Sequence, residues 1–193
     1  MDCHLGWHCR KRLPHFDGSE VTQFITFRLA DSLPKTYLQQ LSQELKSVKL
    51  DLEREKYERI QRLLDQGSGS CILSQPECAR IVRDALTFLD GKKYELQAWV
   101  VMPNHVHFLA RFGSDQTMSK ALHSLKSFTS HQIKELHPDM KSVWQEEYFD
   151  RYIRNEEHYL RTVKYIHENP VLAKICAVEE DFQWSSAFQG NIS

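Results

Sequence analysis

Residues 100–112 read "VVMPNHVHFLARF", and this stretch decides the fold prediction. Its apolar and β-branched residues predict two strands joined by a tight turn at "MPN". Side chains alternate between the two faces of a strand, so His105 and His107 are predicted to share one face. Val106 and Phe108 then point to the opposite face. Two neighbouring imidazoles on one face of a strand are a candidate pair of metal ligands.

The pattern around this stretch predicts helices and strands in a mixed order. In chain order it predicts a strand over 20–30, one or two helices within 32–66, a helix over 75–91, strands over 92–101 and 105–112, a helix over 116–137, an extended segment over 143–154 and a helix over 155–169. We therefore expect an α+β fold with an antiparallel sheet covered by helices. The expected organisation is a single domain over 1–193, with a basic N-terminal arm at 1–19 and an acidic C-terminal tail at 178–193.

Composition describes an ordinary globular protein. Of the 193 residues, 41% are hydrophobic and 26% are charged, and the formal net charge is −1. No apolar run is long enough to cross a bilayer, and the N-terminus has no secretory signal pattern. The five cysteines include no C-x-x-C pair, so reduced thiols are expected. We expect a cytoplasmic protein without a membrane partner.

The last predicted helix carries two distinct stripes of side chains, with Asn155 as its N-cap and Pro170 as its expected end. At about 100° per residue, one apolar stripe, expected to face the core, contains Tyr159, Leu160, Val163 and Ile166. A separate polar stripe contains His158, Thr162, Tyr165 and Asn169. Tyr165 and Asn169 are four residues apart and so are neighbours on the helix surface. A tyrosine in the polar stripe is a candidate for chemistry rather than for packing.

An isolated H-x-H pair is more often incidental than functional, so the histidines need a third ligand and a reactive group. If the polar stripe lies over the imidazoles, His105, His107 and the amide oxygen of Asn169 can hold a divalent ion with open positions. Oxygen donors and water favour Mg²⁺ or Mn²⁺. Tyr165 can then attack a metal-polarised phosphate and form a covalent phosphotyrosine.

The histidine strand and the last helix together resemble segments of a known family. "MPNHVHFL" at 102–109 and "YIHENPV" at 165–171 are similar to segments of the tyrosine transposases of small bacterial insertion sequences, and above all of the REP-associated tyrosine transposases. Further segments with the same similarity are "LPHFDG", "VTQFITFRLADSLP", "WVVMPNHVHFLA", "YFDRYIR" and "YIHENPVLA". Together they run across nearly the whole chain in the family's order.

The resemblance implies a ferredoxin-like core and a single tyrosine nucleophile, Tyr165, with His105, His107 and Asn169 as ligands of a divalent metal. It also implies cleavage of single-stranded DNA near hairpins through a 5′-phosphotyrosine bond. The insertion-sequence relatives act as dimers that exchange their tyrosine helices, so both a monomer and a homodimer stay open. After "NPV" the family commonly has Lys-Ala-Gly-Leu, whereas this chain has "LAKICAV". The lost glycine bears on the turn after the helix rather than on the chemistry.

Other tyrosines and the DNA contacts are less well defined by the sequence. Rival nucleophiles are Tyr148 and Tyr152 in the aromatic segment and Tyr159 in the apolar stripe; all three rank below Tyr165. Single-stranded DNA is bound by phosphate neutralisation and base stacking. The candidates for DNA binding are Arg10, Lys11 and Arg12, beside Trp7, together with Lys126.

Three functions are compatible with these residues. The first is a metal-dependent endonuclease and strand-transferase that acts on single-stranded or hairpin DNA. The second is a domesticated, non-catalytic protein that binds hairpin DNA. The third is a metallohydrolase in which the two histidines hold an ion that activates water. Only the first of these depends on Tyr165 as a nucleophile.

Overall fold

A computed structural model describes residues 7–9, 14–16, 20–33, 37, 52–114 and 117–190. Its strands are β1 (Trp7–Cys9), β2 (Pro14–Phe16), β3 (Val21–Arg28), β4 (Glu95–Val101), β5 (His105–Phe112) and β6 (Phe149–Tyr152). Its helices are α1 (Leu52–Asp65), α2 (Pro76–Leu89), α3 (Met118–Leu136) and α4 (Glu156–Leu172), with short 3-10 turns at Ile72–Ser74 and Glu179–Asp181. No helix in these ranges is long and apolar enough to span a membrane.

The main sheet has four antiparallel strands in the order β4-β5-β3-β6. From β3 to β6, with α1 left aside, the elements follow in the order strand, helix, two strands, helix, strand, and this connectivity with this strand order is the ferredoxin-like arrangement. The predicted α+β class and the helix-covered antiparallel sheet are confirmed. Two short strands at the N-terminus, β1 and β2, pair with each other in a separate antiparallel ribbon.

The two faces of the sheet carry different hydrophobic clusters. One face carries the larger hydrophobic cluster, in which β3, β5, α2 and α3 contribute buried side chains such as Phe27, Phe108 and Leu122. The second face carries a smaller cluster that includes Phe24, Leu109 and Ile166 from β3, β5 and α4. The helix α4 therefore lies on the face opposite to α2 and α3.

Strand pairing fixes which residues meet across the second face. β5 is the central partner of both β3 and β4, and His107 lies opposite Thr26 on one side and Val100 on the other. The alternation predicted for β5 is confirmed, because Val106 and Phe108 belong to the larger cluster on the opposite face. Both histidines lie under α4.

The face of α4 that contacts the sheet differs from the predicted core stripe. Its buried residues are Thr162, Ile166, Asn169 and Pro170. Tyr159 and Val163 are only partly buried, and Leu160 is exposed. Thr162 and Asn169 of the predicted polar stripe face the sheet together with Ile166 of the apolar stripe, because the surface below the helix is itself partly polar. The prediction that Leu160 packs in the core was wrong.

The end of α4 also differs from the prediction. Pro170 lies inside the helix, which continues to Leu172. A proline so near the C-terminus removes only one backbone bond, and the helix ends two residues later. The N–H groups of Lys174 and Ile175 bond to the carbonyls of Val171 and Pro170 at 2.9 and 2.8 Å. This is a Schellman ending, and Lys174 adopts the left-handed conformation that glycine usually supplies, with φ 59°.

The segment predicted as an acidic tail packs along the free edge of β4. The N–H of Val101 donates to the carbonyl of Trp184 at 2.8 Å, and the N–H of Ser186 donates to the carbonyl of Trp99 at 2.9 Å. The indole of Trp184 is buried in the larger cluster. This segment therefore covers the edge strand of the sheet.

Candidate active site

The imidazoles of His105 and His107 are completely buried, and they face each other. Their ring centroids are 4.6 Å apart, with planes inclined at 72°, and the two Nε2 atoms are 3.0 Å apart. A strand places alternate residues side by side on one face, so this proximity follows directly from the H-x-H spacing.

The Nδ1 atom of each imidazole lies within hydrogen-bond distance of another polar side chain. The Nδ1 atom of His105 is 2.7 Å from Oδ1 of Asn104, and Nδ1 of His107 is 2.7 Å from Oγ1 of Thr26. Both partners are buried. The ring nitrogens that face each other are thus the Nε2 atoms, while the Nδ1 atoms are engaged elsewhere.

The amide of Asn104 is itself fixed by the end of α1 and the loop after it. Its Nδ2 donates to the carbonyl of Leu64 at 3.0 Å and to the carbonyl of Ser68 at 2.9 Å. The sequence pattern predicted Asn104 as part of the "MPN" turn and Thr26 as part of the strand over 20–30, and it indicated no contact of either with the histidines. Adjacency to His105 could have indicated Asn104, whereas the contact of Thr26 depends on strand register.

The helix α4 brings Tyr165 and Asn169 onto the histidine pair. The ring of Tyr165 lies 5.4 Å from the ring of His107 and 6.0 Å from that of Phe24, measured between centroids. Phe24 also stacks on His107 at 5.4 Å. The hydroxyl oxygen of Tyr165 is buried. The predicted convergence of Tyr165 with the histidine pair is therefore present within one chain.

Asn169 is completely buried on the same side of α4. Within the described part of the chain, neither its Oδ1 nor its Nδ2 has a hydrogen-bond partner. A buried carboxamide without partners costs free energy, so such a group in a native fold calls for a functional explanation.

Burial keeps the two imidazoles neutral. It lowers the pKa of His105 to about 3, and the nearby carboxamide of Asn169 opposes this shift without reaching hydrogen-bond geometry. Burial, followed by the charge of His105, lowers the pKa of His107 well below its ordinary value. A neutral imidazole with a bare nitrogen is the form that binds metals.

The geometry of these groups fits a divalent ion. An ion about 2.1 Å from two nitrogens at a right angle holds those nitrogens about 3.0 Å apart. The Nε2 atoms of His105 and His107 have this separation, and the unsatisfied amide of Asn169 supplies an oxygen. Among the described residues, no group of three or more His, Cys, Asp or Glu side chains could hold a metal. A site here depends on the amide as its third ligand.

The rival tyrosines lie elsewhere. Tyr148 is buried in the larger cluster on the opposite face of the sheet, and its hydroxyl is 3.2 Å from Oγ of Ser119. Tyr152 lies on β6 under the guanidinium of Arg154, 5.6 Å from its ring centroid. Tyr159 packs at the margin of the smaller cluster. Tyr165, in contrast, has its ring 5.4 Å from that of His107, measured between centroids.

The predicted DNA-binding residues are only partly described. Arg10, Lys11 and Arg12 lie outside the described residues. Nζ of Lys126 donates to the backbone carbonyls of Gln145 and Glu146 at 2.7 and 2.9 Å, and burial lowers its pKa to about 8. These bonds tie α3 to the segment before β6, a structural contact that the sequence did not indicate. Its role in DNA binding stays a prediction.

A basic group that the sequence did not single out surrounds the start of α4. Burial lowers the pKa of His158, and the charges of Arg151, Arg161 and Arg154 lower it further. All three arginines are exposed. His158 lies two turns before Tyr165 on α4, about 10 Å along the helix axis.

A ferredoxin-like sheet with two inward histidines under a helix that carries a tyrosine and an amide is the arrangement expected of a single-tyrosine transposase. Residues 75–169 match the model of the family described as "Transposase IS200 like". The match spans slightly less than half of the chain, and the resemblance predicted from the sequence is confirmed.

Two relatives place the similarity more closely. The first is the REP-associated tyrosine transposase of Escherichia coli (strain K12), which is 34% identical over 82 residues. The match spans 42% of this chain and 46% of that relative, slightly less than half the length of each. The second is the solved structure of a REP-associated tyrosine transposase bound to a REP hairpin, with a TM-score of 0.58 at 18% identity. It covers 92% of this chain and 82% of that chain and supports the fold.

Proposed function

We propose that this protein is a metal-dependent endonuclease and strand-transferase that cuts single-stranded DNA near hairpins through a tyrosine nucleophile. The observation that carries the proposal is the position of Tyr165, whose ring lies 5.4 Å from that of His107 in the same buried cluster. Hairpin DNA is proposed as the substrate because the solved relative is bound to a REP hairpin. The curated relative bears the name of a transposase.

In this proposal His105, His107 and Asn169 hold one Mg²⁺ or Mn²⁺ ion. Two neutral imidazoles and a carboxamide contribute no charge, so the ion keeps its full positive charge for a phosphate. When bound, it supplies Lewis-acid polarisation of a phosphate oxygen in the DNA. The fit is supported by the 3.0 Å separation of the Nε2 atoms and by the unsatisfied amide.

Tyr165 supplies the nucleophile. Its phenolic oxygen gives up its proton and attacks phosphorus, so that an O–P bond to the tyrosine forms while the P–O3′ bond of the DNA breaks. The 3′ oxygen leaves with a proton as a free hydroxyl, and the 5′ phosphate stays on Tyr165. Attack by another 3′ hydroxyl on this phosphotyrosine reverses the process and joins strands. Phe24 and His107 pack around the phenol and fix its orientation.

The basic group at the start of α4 is proposed to bind DNA phosphates next to the cleaved bond. Arg151, Arg154 and Arg161 are exposed and lie near one another around His158. Side chains of this kind neutralise phosphates without reading sequence. Arg10, Lys11, Arg12 and Lys126 remain the further candidates predicted from the sequence.

The test uses the full chain with hairpin-bearing single-stranded DNA and Mg²⁺ or Mn²⁺, followed by a denaturing gel. We expect a covalent protein–DNA adduct that is lost in Tyr165→Phe and in the presence of a chelator. Tyr159→Phe is the matched control, because this tyrosine belongs to the same helix and is expected to leave adduct formation intact.

Other outcomes identify the other functions. DNA cleavage that persists in Tyr165→Phe without any adduct would indicate a metallohydrolase that activates water. Tight hairpin binding with neither cleavage nor adduct would indicate a non-catalytic binder. Equal affinity for duplex and hairpin DNA would contradict both the endonuclease and the non-catalytic binder, because both functions require recognition of a hairpin.

A further inference from the structure

We propose that Asn104 and Thr26 are positioning residues that set the proton positions of the two imidazoles, so that both Nε2 atoms can face a bound ion. Asn104 holds His105 permanently in the metal-binding tautomer. Thr26 allows His107 to exchange one tautomer for the other when the ion enters. This inference rests on the proposed metal site and adds two residues that neither the sequence pattern nor the ligand set assigns.

The first step is the orientation of the Asn104 amide. Nδ2 donates to two backbone carbonyls, those of Leu64 and Ser68. A carbonyl oxygen only accepts hydrogen bonds, so the group that faces these two oxygens must be the NH₂. A flipped amide would direct its own oxygen at both carbonyls in a buried place. The amide oxygen of Asn104 therefore faces His105.

The second step follows for His105. Oδ1 of Asn104 is an acceptor, so the Nδ1 atom 2.7 Å away must carry a proton and donate it. A neutral imidazole has one N–H, and its other nitrogen is then bare. Nε2 of His105 thus directs a lone pair at the position between the two rings, whether or not an ion is present.

The third step concerns His107, whose Nε2 is 3.0 Å from the bare Nε2 of His105. Without an ion, two lone pairs at this distance repel, so Nε2 of His107 must carry a proton and donate it to His105. Its Nδ1 is then bare and accepts from the hydroxyl of Thr26 at 2.7 Å. With an ion, both Nε2 atoms must be bare, and the proton of His107 must move to Nδ1.

Thr26 suits both states because a hydroxyl donates and accepts equally well. It donates to the bare Nδ1 when no ion is present and accepts from the protonated Nδ1 when the ion is bound. The hydroxyl only needs to rotate, and the heavy atoms keep their positions. An asparagine at this place, as at position 104, would offer a fixed polarity and would favour one state. Thr26 and Asn104 therefore have different tasks.

The first experiment observes the ring nitrogens of the unmodified protein by ¹H–¹⁵N NMR without metal. The two tautomers differ strongly in their ¹⁵N shifts, and His105→Gln and His107→Gln assign the signals among the ten histidines. We expect a proton on Nδ1 of His105 and on Nε2 of His107. A proton on Nε2 of His105 would overturn the role of Asn104.

The same measurement is repeated with Zn²⁺ as a diamagnetic probe. We expect the proton of His107 to move to Nδ1 while that of His105 stays on Nδ1. Binding of the ion without a change at His107 would overturn the role of Thr26. Failure of the ion to bind at all would overturn the proposed metal site and the exchange with it, whereas the metal-free spectrum would still decide on Asn104.

Two variants provide a second test by Mn²⁺ affinity. Thr26→Val keeps the shape of the side chain and removes the hydroxyl, and Thr26→Ser keeps the hydroxyl. Loss of a group that orients a metal-binding histidine costs about tenfold in affinity or more. We expect that loss in Thr26→Val and its recovery in Thr26→Ser, with melting temperature as the measure of folding. Equal affinities in two folded variants would overturn the proposal.

Discussion

The buried carboxamides of Asn104 and Asn169 differ in their surroundings. Asn104 makes three hydrogen bonds, whereas Asn169 makes none with the described residues. Both are almost inaccessible to solvent. An unsatisfied buried amide costs about 1–3 kcal/mol, while a fully bonded one contributes to stability. The difference is consistent with a structural role for Asn104 and with the proposed role of Asn169 as a ligand.

Replacing Asn169 by leucine tests this difference. We expect Asn169→Leu to leave the free energy of unfolding without metal unchanged or to raise it by about 1 kcal/mol, because an amide without partners is removed. The same change should weaken Mn²⁺ binding at least about tenfold, since the third ligand is lost. Urea unfolding and metal titration measure the two quantities.

The matched control is Asn104→Leu. This change removes a carboxamide that is bonded to Leu64, Ser68 and His105, and we expect it to lower the free energy of unfolding by about 2 kcal/mol or more. An Asn169→Leu variant that is destabilised as strongly as the control would show that Asn169 has a structural role. Unchanged Mn²⁺ affinity would exclude it as a ligand.

Among the elements, the loop between α1 and the first 3-10 turn orients the site, because its Ser68 carbonyl accepts a hydrogen bond from the amide of Asn104. Gly69 adopts φ 92°, and a Cβ there would lie 2.8 Å from the carbonyl oxygen of Asp31. The carboxylate of Asp31 accepts from the N–H of Ser70 at 2.9 Å. This close approach holds the loop so that the carbonyl of Ser68 reaches Asn104.

We therefore expect Gly69→Ala to act on stability and on the metal site together. The positive φ and the backbone clash should lower the free energy of unfolding by about 1–3 kcal/mol. Displacement of Ser68 should also release the Asn104 amide and weaken Mn²⁺ binding. Gly91→Ala is the matched control, because Gly91 has φ 69° but open space around its Cβ.

The control should lose stability through backbone strain alone and keep its full affinity for Mn²⁺. Thermal unfolding and metal titration of both variants make the comparison. If Gly69→Ala binds Mn²⁺ as well as Gly91→Ala does, the loop has no influence on the site.

The elements also show why some predictions succeeded. Alternation along β5 is a local property with a period of two, so the shared face of His105 and His107 could be predicted from five letters of sequence. The facing direction of α4 could not, because the apolar stripe was taken as the buried one. The sheet beneath α4 presents two imidazoles and Thr26, and the helix turns Thr162 and Asn169 toward them. Leu160 is left in solvent as a result.

The supporting residues of the site depended on contacts that are distant in sequence. Thr26 meets His107 only because β3 pairs with β5 in one register, across 81 residues of chain. Asn104 meets Leu64 across 40 residues. No local pattern encodes either contact. The candidate nucleophile and the proposed ligands could be predicted from motifs, whereas the side chains that contact the histidines could be identified only from the fold.

In the whole molecule, the sheet separates the larger hydrophobic cluster from the candidate active site. The larger cluster with α2 and α3 lies on one face, and the histidine pair lies on the other face, against α4. His105, His107 and Asn169 are all inaccessible to solvent in this arrangement. In the proposed reaction, a DNA phosphate would therefore reach them only after α4 shifts away from the sheet. The fold can allow this, since the smaller cluster under α4 carries less of the core.

The covering helix belongs to the same chain as the histidines, which predicts a site that works within one molecule. In a swapped dimer, a chain without Tyr165 and a chain without the histidine pair would restore one another. We expect no such rescue when Tyr165→Phe is mixed with a variant carrying His105→Ala and His107→Ala, because each molecule combines its own helix with its own strand.

The amount of covalent adduct on hairpin DNA, read on a denaturing gel, measures the rescue. Hairpin binding by each variant is the control. Equal mixtures that recover about a quarter of the normal adduct would instead show that α4 is exchanged between chains, because half of the dimers are then mixed and each mixed dimer has one complete site of two. The absence of rescue, with both variants still folded and bound to DNA, would place the nucleophile and the ligands of one reaction in one molecule.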